Sequence, residues 1–88
     1  MGMSKYEDLY ARVMNHLNDQ DWESAYSLVK NGDMQGDGNA TAILAEFYLH
    51  GVGVPEDVET AIELLERAIS RGCMEAADKL GSLYMVGE

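Results

Sequence analysis

The chain repeats itself with a period of 36 residues. At that offset Ala25 falls on Ala61, Leu28 on Leu64, Val29 on Leu65, Gly36 on Gly72 and Ala40 on Ala76. Further on, Leu44 falls on Leu80, Phe47 on Leu83, Tyr48 on Tyr84 and Gly51 on Gly87. Self-similarity at a fixed period of roughly 20 to 50 residues is the mark of stacked-repeat architectures. In these each unit contacts only its neighbours, and the product is an extended surface rather than an enclosed pocket. The repeat therefore predicts a chain that holds another protein, and argues against an enzyme.

Eighty-eight residues make one small domain, and 47% hydrophobic content suffices for a core. The net charge is −10, from 16 acidic and 6 basic residues. Such a balance repels phosphate backbones and anionic membrane surfaces, so neither nucleic acid nor a membrane is an expected partner. A basic protein or peptide is. One cysteine, Cys73, excludes an intramolecular disulfide. With no signal-like apolar run and no membrane-length stretch, the expected compartment is the cytoplasm.

Hydrophobic spacing predicts five helices and no sheet. In the first, Tyr6, Leu9, Tyr10, Val13, Met14 and Leu17 make one apolar stripe over about residues 4–18. Asp19 or Asp21 can cap the second, which carries Trp22, Ala25, Tyr26, Leu28 and Val29. Residues 31–39, NGDMQGDGN, form the strongest linker signal. The third helix starts near Asn39, carries Ile43, Leu44, Phe47 and Tyr48, and is closed by Gly51 in a left-handed conformation. Pro55 is expected in the first turn of the fourth helix, where its missing N–H has no partner to lose. That helix buries Ile62, Leu64, Leu65, Ala68 and Ile69, pairs Glu63 with Arg67, and stops at Gly72. The fifth runs from about Met74 to Val86. Short connections between helices make antiparallel neighbours, and pairs in tandem make a short α/α solenoid: two full helix pairs plus one extra helix.

Leu44, Ala45, Tyr48, Gly51, Gly53, Val54, Asp57, Ala61, Ala68, Gly72 and Ala76 resemble the consensus of the Sel-one-like repeat family, a relative of the tetratricopeptide repeats. Leu80 and Gly81 reproduce its Leu-Gly pair, and Tyr84 its tyrosine. The resemblance covers residues 40–88 and divides a single domain into a degenerate unit at 4–39, a full unit at 40–75 and a partial one at 76–88. DWESAYSLV in the first unit looks more like a tetratricopeptide repeat. By resemblance the stack is a right-handed superhelix, and the protein an adaptor or scaffold. Its concave face would belong to the first helix of each pair. By position that gives Asn39, Ala42, Glu46, Leu49 and His50, then Glu75, Asp78, Ser82, Met85 and Val86 one period later, with Tyr6, Tyr10 and Met14 in the first unit. The motif also has a physical reading. Ala61, Ala68 and Gly81 let helix axes approach closely, and Tyr48 and Tyr84 fill the space between units.

No catalytic constellation is visible. His16 and His50 both end helices and could approach one another beside Glu46, but no ligand spacing supports a metal site. Cys73 opens the fifth helix, and burial as a small hydrophobe is its expected role. GVGV lacks the lysine and the strand of a phosphate loop. The reading is a non-enzymatic interaction module without cofactor. The alternative is a small acidic inhibitor, of the immunity or anti-defence type, that masks a basic surface. A homodimer through the fifth helix is also expected, because Leu83, Met85 and Val86 cannot all face one neighbour.

Overall fold

The computed structural model describes residues 4–86, with residues 85 and 86 described by backbone alone. Five α-helices follow in order: α1 (Lys5–Asn18), α2 (Trp22–Met34), α3 (Gly38–His50), α4 (Val58–Ser70) and α5 (Met74–Val86). No strand occurs among the described residues.

Each start has a local chemical cause. Ser4 caps α1 by accepting the Glu7 N–H, while the Glu7 carboxylate accepts the Ser4 N–H, a reciprocal capping box. Asp21 caps α2 through the Ser24 N–H, and Asp57 caps α4 through the Thr60 N–H and hydroxyl. These oxygens satisfy amides that have no partner inside the helix. Gly51 ends α3 at φ 67°, ψ 40°, left-handed as the sequence requires.

Two boundaries differ from expectation. The linker expected over 31–39 shrinks to 35–37, because α2 runs on through Gly32 to Met34. Gly32 is a helical residue in a crowded place: a Cβ there would overlap the Ala40 methyl. It lets α2 and α3 approach, and so signals packing rather than a loop. Pro55 lies two residues before the α4 cap, outside the helix. It belongs to the loop whose Val52 and Asp57 amides donate back to the Phe47 and Tyr48 carbonyls.

The helices form two layers. α1, α3 and α5 lie side by side, and α2 and α4 pack across them. α3 touches all four others, with its most extensive contact on α4. It is accordingly apolar almost all round, burying Ala40, Ala42, Ile43, Leu44, Ala45 and Phe47. α4 buries Ala61, Leu64, Leu65 and Ala68, an i, i+3, i+4, i+7 stripe, while Ile62 is half-buried and Ile69 exposed. Gly38 fixes the offset of α3 against α4: a Cβ there would lie 2.9 Å from the Arg71 Cβ.

Three further expectations are corrected. Glu63 does not hold Arg67, whose guanidinium reaches Asp33 instead. Gly81 is exposed with nothing within 4 Å of a Cβ, so it brings no helices together. Tyr84 is 61% exposed rather than a filler, whereas Tyr48 is half-buried against the core. Both differences have one cause. Tyr48 and Ala45 sit on α3, which α4 covers, while the matching positions of α5 meet no further helix among the described residues.

Candidate functional site

Glu46, in the middle of α3, joins the three helices of one layer. Its Oε2 accepts a hydrogen bond from the Tyr6 hydroxyl on α1 at 3.2 Å and forms an ion pair with Lys79 Nζ on α5 at 2.9 Å. Its Oε1 lies 3.9 Å from His50 Nε2, one turn along α3. The carboxylate side chain is only 16% exposed. Burial, and then the Glu46 charge, push the Tyr6 phenol well above the ordinary tyrosine range. The Tyr6 ring stacks on Tyr10, with centroids 6.0 Å apart and planes 9° from parallel.

Two recesses adjoin at this bridge. The first is a groove of about 210 Å³ between α1 and α3, with walls of Tyr10, Val13, Met14, Leu17, Phe47 and Val52. Glu46 and His50 stand at its polar edge. It exists because the α1 stripe is wider than its neighbours cover: Val13 is buried, but Tyr10 and Met14 stay 39% and 37% exposed. The second recess, about 190 Å³, lies between α1 and α5 and is lined by Tyr6, Glu75, Asp78 and Lys79. One is apolar and the other acidic.

No protein-family model, curated protein or solved structure matches this chain.

Of the residues placed on this face by sequence, Glu46, His50, Tyr10 and Met14 line the groove, and Tyr6, Glu75 and Asp78 the second recess. Ser82 is exposed on α5. Ala42 is fully buried and offers a partner no surface, because the helices around α3 close over it. Leu49 packs against the core, and Asn39 is half-buried with its N–H donated to the Asp37 cap. The Met85 and Val86 side chains lie outside the described residues.

Lys79 was not foreseen. The 36-residue offset puts it in register with Ile43, which is buried. A charge at an inward position needs a counter-charge, and that mismatch is the signal which points to Glu46. Asp33 is buried without such a signal, because Ile69, one period on, is exposed. It is bound by Thr41, Arg67 and Arg71, none of which lines the groove.

The histidines do not converge. His16 Nδ1 lies 3.7 Å from Asp21 Oδ2, and His50 keeps to Glu46. Among the described residues no three His, Cys, Asp or Glu side chains are grouped to hold a metal ion. Cys73 is buried as expected, and desolvation pushes its thiol up from the ordinary cysteine value. A protonated, buried thiol is a poor nucleophile. No helix among the described residues is long and apolar enough to cross a membrane.

Proposed function

We propose that this chain is a non-enzymatic protein-interaction module, a Sel-one-like adaptor of the cytoplasm, that binds a partner protein or peptide across the layer of α1, α3 and α5. One observation carries the reading: the apolar groove between α1 and α3, with Tyr10 and Met14 left open on a stripe wider than its neighbours cover. An exposed apolar patch rimmed by polar groups marks a protein-interaction site or a binding groove.

The test is selection of random peptides displayed on phage against the immobilised protein, run beside Met14→Lys. The reading expects peptides enriched by the parent and lost by the variant, with unchanged circular dichroism. No enrichment, or equal enrichment by both, counts against it.

The acidic-inhibitor reading draws on a different surface. Glu59, Glu63 and Glu66 form an exposed acidic row on α4. Of the six basic residues, Arg12, Arg67, Arg71 and Lys79 are held by acids of the chain itself. An inhibitor of that kind would associate with a basic target far more slowly at high salt. An apolar groove ligand would change little.

A further inference from the structure

We infer that the ligand of this face is a two-part peptide segment, with one apolar side chain and one lysine or arginine three or four residues away. The apolar group enters the groove between α1 and α3, and the cation sits between α1 and α5. This inference rests on the interaction-module reading and specifies its partner.

The two recesses impose the two chemistries. The groove walls are Tyr10, Val13, Met14, Leu17, Phe47 and Val52, so its deep contact is apolar. Burying a Leu- or Phe-sized group there removes from water both that group and the open surfaces of Tyr10 and Met14. The second recess carries the carboxylates of Glu75 and Asp78 against one cation, Lys79. That cation is already engaged, 2.9 Å from Glu46. The carboxylates are thus left with uncompensated charge on a chain whose net charge is already −10. Their complement is a basic side chain. An acidic or phosphorylated ligand is repelled from the same place.

The bridge between the recesses sets the spacing. Tyr6 borders the acidic recess and Val13 the apolar groove. They are seven positions apart along α1, about 11 Å at 1.5 Å per residue. An extended peptide rises about 3.3 Å per residue, so it covers this distance in three to four residues. Between the two sites the ligand crosses the Tyr6–Tyr10 stack, which the Tyr6–Glu46–Lys79 bonds hold in place.

The experiment is the same phage display of random peptides, read now for sequence pattern, with Glu75→Gln,Asp78→Lys selected in parallel. The parent should enrich an apolar residue with Lys or Arg three or four positions away. The variant should keep the apolar preference and lose the basic one. One enriched peptide, synthesised with a fluorescent label and titrated by anisotropy, should bind the variant roughly tenfold more weakly and weaken in high salt. Enriched peptides with no basic residue, or equal affinity for parent and variant, would overturn the two-part ligand while leaving the interaction module standing. Failure of the parent to enrich any peptide would overturn both.

Discussion

Arg71 Nη1 at the end of α4 lies 2.8 Å from Asp33 Oδ1 near the end of α2. The same nitrogen donates to the Asp33 carbonyl at 3.0 Å and to Thr41 Oγ1 at 2.8 Å. Thr41 donates its hydroxyl to Asp33 at 2.7 Å, and Arg67 adds a longer contact at 3.2 Å. One carboxylate, 8% exposed, therefore ties α2, α3 and α4 together. A buried charge is tolerable only when bonded on several sides, and this one is.

Asp33→Ala removes the acceptor on which all three donors converge. The expected loss is about 1.5–3 kcal/mol, the usual worth of hydrogen bonds to a charged group. Urea denaturation checks it. Glu63→Ala, at the site of an ion pair that the fold does not make, should leave the midpoint almost unmoved.

Acid should weaken the same clamp. Burial alone would raise the Asp33 carboxyl, but the Thr41 bond, the Arg71 bond and the Arg67 charge outweigh it and hold it below the ordinary aspartate range. A carboxyl depressed in the folded state gives stability that is complete above its unfolded pKa of about 3.9, and that is lost as pH falls through the folded value. The gap in melting temperature between the parent and Asp33→Asn should be constant above about pH 5 and narrow below pH 4. A gap that widens in acid would contradict this sign.

Two helical glycines should respond to alanine in opposite ways. Gly32→Ala forces a methyl into Ala40, so α2 and α3 must part, at a cost of about 1–3 kcal/mol. Gly81→Ala meets nothing and lies on an exposed helix surface, so it should stabilise by about 0.5–1 kcal/mol through backbone entropy. Thermal melts of the two variants, one shifted down and one up, provide the check.

The outer side of α5 should mediate weak self-association, as a two-fold dimer. Met74 and Tyr84 are 79% and 61% exposed on it. Two copies that each carry −10 repel one another, so association should strengthen with added salt. Sedimentation of the parent and of Met74→Lys,Tyr84→Lys from low to high ionic strength measures it. A parent monomeric at every salt concentration would remove the dimer.

The sequence by itself determined what acts over one or two turns of chain. Asp21, one of two candidate caps for α2, and the left-handed Gly51 are local chemistry; Ser4 and Asp57 cap in the same way, although the chain pointed to Pro55 in the first turn of α4. The α1 stripe is local too, and the five helices of the described residues follow from it and its counterparts. The family resemblance, carried over by position, also put Glu46, Glu75 and Asp78 on one face. What the tertiary structure decided are pairings across 34 to 40 residues: Arg67 and Arg71 on Asp33, and Tyr6 on Glu46. Those depend on the offset of one helix against the next, which close approaches such as Gly32 on Ala40 and Gly38 on Arg71 set. A glycine in the text of the chain does not say whether it ends a helix, admits a neighbour or faces water. Gly51, Gly32 and Gly81 do one each, and only the neighbours that surround them distinguish the three.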